Sequence, residues 1–463
     1  ILFKNYFENI ITHKNNIALE YNEGIDTVRR SDIAWLKNDQ IDKSKILIYF
    51  TSLDIISGEH ISRNTVNKIE QLGMKAICLK RGIMKEKNYP VWYPTSENLL
   101  EYPEIVIHDN VDKWLSTNGK GFISEINYWI SFYKKFNIRV NFIIGEGNPK
   151  YIAQKIAFEI SNTQAGILVR KQRSELFTPS TMYRGHHPVH AFFIFNNRSL
   201  KYLKPNTNDI HTTVTTGHTS DYIPKQIKTE VLDLKRKLKL HGVKHTVALF
   251  DNIHSNIYGF STIEMEMFYN TFLDMLFCDP TIGIIIKSKK PIVLNSMPII
   301  SQKIEKAQAT GRCIKLSNEF GRFPLDAGLA SDISVGVGIS SAIIEIATAG
   351  QPAVMYDMTT YYPHEFYEKG KNKIIFDDLE LLAKKIQEHK RDKKISTDFG
   401  NWQLLGIELD PFSDGETNLR IEQYISNYLE NYDNGLGLNA VINNANKKYG
   451  KTWGYENVHE FQN

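Results

Sequence analysis

Residues 331–357, SDISVGVGISSAIIEIATAGQPAVMYD, hold the richest set of groups for chemistry in this chain. An apolar run ends in Gly336, Val337 and Gly338, and Ser340 and Ser341 then open a helical pattern that carries Glu345 about one turn in and closes at Gly350. Glycines let backbone approach a ligand closely, and the N–H groups of a helix start, with serine hydroxyls beside them, attract phosphate oxygens. An anion site is expected here; the plainer reading is a chain turn with Ser340 as an N-cap. The spacing is not the GxGxxG of dinucleotide folds and no Walker sequence occurs, so neither a dinucleotide enzyme nor a P-loop ATPase is favoured. Lys287, directly after three isoleucines, and Lys289 close a second apolar run, IIIKSK. Surface lysine is the plainer reading of Lys289 and Lys290, whereas Lys287 is less easily read that way.

Polar residues just past other apolar runs are candidates for proton transfer: Asp54, Glu59 and His60 in TSLDIISGEH, Glu146 in IIGEGN, and His186 and His187 in MYRGHHPVH. Glu146, between two glycines after an apolar run, is the first choice. Its plainer role is a helix-start carboxylate before Pro149, and that of the two histidines is a turn at a sheet edge. The aromatic stretch YYPHEFY, residues 361–367, either stacks on a ligand ring or packs as an ordinary loop. No acidic cluster stands at a strand end as an evident metal site, and Asp377 with Asp378 more simply starts a helix, so no metal or other cofactor is expected.

These groups need elements to position them, and the sequence supplies two alternating series. In the first, KILIYFTS, MKAICLK and IRVNFIIGEG read as buried strands, with helices over 61–72 (stopped by Gly73), over 124–136 (Ser124 as N-cap) and from Pro149 to about 161. VHAFFIFNN is a strongly apolar strand, residues 1–44 read as a mixed leader, and the Thr-, Asn- and His-rich stretch 205–224 suits an inter-domain crossing. In the second series, helices over 228–240, 264–277, 300–310 and 340–349 alternate with the strands HTVALFDN, IGIIIKSK, RCIKLS, SDISVGVG and QPAVMYDM, as a doubly wound parallel sheet requires. The last 60 or so residues read as helical and polar.

With 463 residues the chain is too long for one core. The expected division is an N-terminal domain over 1–225, a C-terminal domain over 226–410 and a helical segment over 411–463 packing back on them. A composition of 42% hydrophobic and 23% charged residues is that of an ordinary folded chain, and a net charge of +4 from 56 basic and 52 acidic residues is no nucleic-acid footprint. The basic clusters at 235–239 and 384–394 are solvated helix faces or a weak contact with an anionic membrane. Three scattered cysteines support neither disulfides nor zinc and fit a reducing cytoplasm. With no apolar run of about 18 residues and no signal-peptide order at the start, the expectation is a cytoplasmic protein, soluble or peripheral at the inner membrane.

The order of IIIKSKKP, CIKLS and SDISVGVGISSAIIEIATAGQPAVMYD resembles the donor-binding half of GT-B glycosyltransferases, in particular the capsule, teichoic-acid and surface-carbohydrate transferases, where an SSxxxEAxxxGxPxxxYD run follows a strand ending in KxHP. LDPFSDGETNLRIEQYISNYLE and NKKYGKTWGYENV resemble a segment of surface-carbohydrate biosynthesis proteins, so the likeness spans roughly residues 160–460. The resemblance implies two Rossmann-like doubly wound parallel-sheet domains facing a cleft, with C-terminal helices. It implies a nucleotide-sugar donor, UDP-, CDP- or CMP-linked and including acidic ulosonic sugars, and a saccharide or lipid-linked acceptor in a growing bacterial surface glycan. Ser340 and Ser341 would contact the donor phosphate, with Gly336 and Gly338 beside them, and Glu345 would lie near the ribose or sugar hydroxyls. Lys287 and Lys289 would meet the phosphate from the opposite side of the cleft, and Asp357 closes the motif. Arg173, Ser174 and His218 sit where the family places loops facing the cleft. Here Ser288, Lys289, Lys290 and Pro291 stand where the family has His-Pro. The alternatives are a non-hydrolysing UDP-N-acetylglucosamine 2-epimerase, which shares the two-Rossmann plan, and a non-catalytic sugar-binding scaffold.

Overall fold

The computed structural model describes residues 16–22, 24–25, 31–36, 38–51, 63–79, 91–92, 100–104, 106–143, 150–160, 166–174, 187–203, 209–254, 260–317, 324–359, 364–392 and 397–461. The chain divides into two units, one of residues 1–173, 179–219 and 416–463, the other of 174–178 and 220–415.

The first unit is built on short apolar strands. These are β1 (Asn16–Glu20), β2 (Ile46–Phe50), β3 (Lys75–Leu79), β4 (Val91–Trp92), β5 (Ile138–Ile143), β6 (Ile167–Lys171), β7 (Val189–Ile194) and β8 (Ile210–Thr215), with the helices α1 (Arg63–Gln71), α2 (Asn110–Lys135) and α3 (Lys150–Ile160) between them. All eight strands pair in parallel in the order β8-β7-β6-β5-β1-β2-β3-β4. Continuous apolar runs such as ILIYF and VHAFFI suit strands buried on both faces, and every residue of β2 and β7 is buried. The strand order reverses between β1 and β5, which is this sheet's topological switch point.

The second unit alternates more regularly. Its elements are α4 (Ile223–Gln226), α5 (Lys228–Leu240), β9 (His245–Phe250), α6 (Thr262–Cys278), β10 (Ile282–Ile286), α7 (Pro291–Asn295), α8 (Pro298–Ala309), β11 (Cys313–Lys315), α9 (Pro324–Ala330), β12 (Ile333–Val337), α10 (Ser341–Thr348), β13 (Ala353–Tyr356), α11 (Glu365–Gly370), β14 (Ile375–Phe376) and α12 (Leu379–Arg391). The parallel sheet runs β11-β10-β9-β12-β13-β14, the 3-2-1-4-5-6 order of a Rossmann sheet, with its switch point between β9 and β12. Its core gathers Val247, Leu249, Phe268, Phe272, Ile284, Ile286, Val335 and Val354 with Phe376 and Ile386.

The chain then returns to the first unit. Helices α13 (Thr417–Asp433) and α14 (Leu438–Trp453) pack on each other, and β15 (Val458–Glu460) adds antiparallel to β8. Ile421, Tyr424, Ile425, Tyr428, Val441, Ile442 and Tyr449 lie in one core with Ile17, Ile48, Phe142, Val169 and Phe193, so this segment is part of the first unit's interior. Other elements differ from the sequence expectation. The helix expected from Ser124 begins at Asn110, capped by Asp109, whose side chain accepts the N–H groups of Val111 and Asp112. The supposed leader contains β1, and the Thr-rich stretch contains β8.

Candidate functional site

Four residues stand directly after four adjacent strands of the second sheet: Lys287 after β10, Asp251 after β9, Gly338 after β12 and Asp357 after β13. Neighbouring parallel strands lie about 5 Å apart, so these residues form a row along the carboxyl edge, where open α/β sheets bind ligands. The switch point falls in the middle of the row, between Asp251 and Gly338.

On one side of that point the backbone is shaped for close approach. Gly338 has φ +70°, a left-handed conformation, and a Cβ there would meet the Phe260 ring at 2.6 Å. A Cβ on Gly336 would meet Ile343 at 2.4 Å, so this glycine lets α10 lie close against β12. Ser340 is the N-cap of α10, yet its side chain makes no capping hydrogen bond. A half-buried serine hydroxyl at a helix start, with the first N–H groups of the helix beside it, is a preformed set of anion donors. Ser341 begins the helix, and Glu345 lies one turn deeper and is buried.

On the other side stand the cations. Burial pushes the Lys287 ammonium down from its ordinary range, opposed by the charges of Asp251 and Asp326, and its Nζ donates to the Ser288 carbonyl at 3.1 Å. The Lys289 ammonium donates to Asn252 Oδ1 at 2.8 Å and its backbone N–H to Asp251 Oδ1 at 2.6 Å. Tyr269 of α6 donates to Asp251 Oδ2 at 2.7 Å. Burial raises the Asp251 carboxyl above its usual range, against the hydrogen bonds from Ser288, the Lys289 backbone and Tyr269 and the charge of Lys287.

The structure therefore brings Lys287, Lys289, Gly336, Gly338, Ser340 and Ser341 to one edge of one sheet, with both lysines on the same sheet edge as the serines. That corrects the expectation that they approach from opposite sides. Asp357 is occupied by its own turn: Oδ1 accepts the Thr359 N–H and hydroxyl, and Oδ2 the Tyr367 hydroxyl at 2.7 Å. In the aromatic stretch, His364 caps α11, and Phe366 and Tyr367 are buried, as ordinary packing requires. Asp251 was missed because HTVALFDN reads as a strand ending in a turn, and its partners lie 18 and 38 positions on.

In the first unit, Arg173 follows β6 and buried His218 follows β8 with its ring 4.4 Å from Phe195, both past carboxyl ends of strands, while Ser174, next in the chain, is counted with the second unit. His187 instead precedes β7 and is buried, its Nδ1 accepting from the Arg170 guanidinium. Asp54, Glu59, His60, Glu146 and His186 lie outside the described residues. The polar cluster at this unit's own switch point was not foreseen: Glu20, the last residue of β1, accepts from Lys150 Nζ at 2.5 Å and from the Tyr151 hydroxyl at 3.0 Å, with Thr51 beside it.

At the opposite end of those strands, Glu159, His190 and His211 bring possible ligand atoms within 4.8 Å of one another. His190 Nδ1 accepts the Leu168 N–H at 2.9 Å, which puts the ring proton on Nε2, the nitrogen 3.8 Å from Glu159. Lys155, bonded to the Asp209 carbonyl at 2.8 Å and 3.6 Å from Glu159, already supplies a cation there. Metal-ligating histidines donate their second nitrogen rather than accept through it, so the arrangement is a poor metal site.

Two parallel-sheet Rossmann-like units define a fold of the GT-B type, shared by GT-B glycosyltransferases and UDP-N-acetylglucosamine 2-epimerases. No family model matches the chain, and no curated protein matches it. Among solved structures it is similar to the S. aureus MnaA–UDP co-structure, at 12% identity over 90% of this chain and 97% of that one, with a TM-score of 0.51. A Listeria monocytogenes protein described as a UDP-N-acetylglucosamine 2-epimerase matches at 13% identity over 90% and 98%, TM-score 0.51. Glycyrrhiza uralensis UGT73P12, complexed with glycyrrhetinic acid 3-O-monoglucuronide, matches at 10% identity over 96% and 100%, TM-score 0.50. At such identities the likeness is one of fold. Among the described residues no helix is long and apolar enough to cross a membrane.

Proposed function

We propose that the chain is a glycosyltransferase that takes a sugar from a nucleotide donor, its phosphate held at the carboxyl edge of the second sheet, and passes it to a growing bacterial surface glycan. The observation that carries this reading is the coincidence of the β9/β12 switch point with a left-handed Gly338, the uncommitted hydroxyl of Ser340 and the two lysines after β10. Glycosyl transfer leaves negative charge on the departing nucleotide, and preoriented N–H groups and ammonium groups stabilise that charge without a metal. EDTA is accordingly expected to leave the rate unchanged. The UDP in the similar S. aureus structure supports a nucleotide ligand. The acceptor, saccharide or lipid-linked, falls to the first unit, and the base for an inverting reaction is sought among Glu146, His60 and His186. Location at the cytoplasmic face of the inner membrane belongs to the same reading.

The test is a thermal-shift and calorimetric screen against UDP, CDP, CMP, GDP, ADP and dTDP. One nucleotide is expected to bind, and Ser340→Ala with Ser341→Ala to weaken it about tenfold or more, the worth of a hydrogen bond to a charged group. Unchanged affinity in the double variant would remove the site. A second reading, nucleotide-sugar epimerisation, is favoured by the likeness to the Listeria protein. It predicts interconversion of free nucleotide sugars with no acceptor, which product analysis of the selected donor distinguishes from transfer.

A further inference from the structure

Asp251 is an unexpected group for an anion site. Its carboxylate lies beside the switch point, one strand from Lys287 and one from Gly338, and is almost wholly buried. Two things tie it there. Its Oδ1 holds the backbone N–H of Lys289 at 2.6 Å, and Asn252 next to it holds the Lys289 ammonium at 2.8 Å, so the end of β9 fixes the turn that follows β10. Its Oδ2 is held by Tyr269 from α6. The groups that act on it are Tyr269 of α6 and Ser288, Lys287 and Lys289 of the turn, while Asp326 of α9 shares Lys287 with it. Without ligand, Lys287 is balanced by these two carboxylates; a phosphate arriving at Lys287 brings negative charge toward Asp251, which is buried and so poorly screened by water.

We propose that Asp251 is a positioning residue of the phosphate site that holds the 287–289 turn and takes up a proton as the nucleotide binds. This rests on the nucleotide-sugar reading above. The proton comes from solvent and goes to a carboxylate oxygen, and no other bond changes. Protonation removes the repulsion while one oxygen still accepts the Lys289 N–H. Burial favours the protonated form, and the arriving negative charge pushes in the same direction.

The sign follows from linkage. Binding that takes up protons strengthens as pH falls, through a window that starts at the raised carboxyl of the unliganded chain and extends upward. The full-length chain is titrated calorimetrically between about pH 5 and 8 in buffers of differing ionisation enthalpy. The probe is UDP-N-acetylglucosamine, or the CDP- or CMP-linked sugar if the screen selects that base. The uridine donor carries no group titrating in that range, so any proton taken up belongs to the protein; with a cytidine donor the uptake is read from the neutral half of the range, above the titration of its ring nitrogen.

Expected are a fractional uptake of up to one proton per nucleotide and an affinity about three- to tenfold higher at the acid end. Asp251→Asn, which keeps an oxygen for the Lys289 N–H, should bind at the acid-limit affinity throughout and take up no proton. Asp251→Ala should bind more weakly at every pH. A wild-type affinity independent of pH, or an Asn variant with the wild-type pH profile, overturns the proposal while leaving the nucleotide site standing. Uptake confined to alkaline pH belongs to Lys287 and overturns it equally. A wild type that binds none of the nucleotides removes the donor reading itself.

Discussion

Burial divides the three thiols. Cys78 and Cys313 are buried, and desolvation pushes them up to about 11 and about 12, so neither forms a reactive thiolate near neutrality. Cys278, the last residue of α6, is exposed. A thiol reagent such as dithionitrobenzoate is expected to label Cys278 promptly in the native chain and the other two only on denaturation; fast release of more than one equivalent would contradict the burial. At this scale the carboxyl edge of the second sheet was legible because Lys287 and Gly338 each follow an apolar run and Ser340 opens the next helix. Glu20 was not, since five residues of strand inside an otherwise mixed segment give no periodic signal. Glu146→Gln should lower turnover far more than nucleotide affinity if that carboxylate is the base, and an unchanged rate would turn attention to His60, His186 and the Glu20 cluster.

The β12–α10 junction shows how an element makes a site. Its turn depends on Gly338 in the left-handed region and on open space that Phe260 bounds. Gly338→Ala adds a backbone cost of about 1–2 kcal/mol and a collision with the ring. A lower melting temperature and weakened nucleotide binding are expected, and Phe260→Ala in the same chain should recover the part of the loss that is steric. A Gly338→Ala chain with wild-type stability and affinity would contradict this account of the turn. Elements of this kind were readable because an apolar strand, a glycine and a serine-started helix succeed one another within a dozen residues. The first half of α2 was not, because Gly119 and Gly121 lower its helical signal; the Tyr102 ring lies over Gly119, where a Cβ would meet it at 2.2 Å. β8 was hidden for another reason: three of its six residues are threonines, a composition that suits a strand or a loop.

At the scale of the whole molecule, the sequence supports two α/β series and a chain end that packs back on them, but not that this end joins the core of the first. That return rests on side chains such as Tyr424 and Tyr449, more than 200 positions from the strands they cover, and the polar composition of the segment conceals them. Tyr424 stacks edge-on against Phe193 of β7, and the Tyr449 hydroxyl donates to the Thr215 carbonyl at 2.6 Å. Arg420, fully buried, donates to the Thr216 carbonyl with its guanidinium 4.4 Å from the Trp453 ring. Removing residues 416–463 would strip one wall from that core and leave β8 an open edge, whereas the second unit's core draws on residues 247–399 alone. Hydrogen exchange on the truncated chain should show lost protection across β5, β6, β7 and β8 while β9, β10 and β12 keep theirs. If the proposed nucleotide site lies on the second sheet, nucleotide binding should then survive the deletion even as transfer is lost. Equal loss of protection in both units would mean that they fold as one, and the donor site could not be treated as a property of its own sheet.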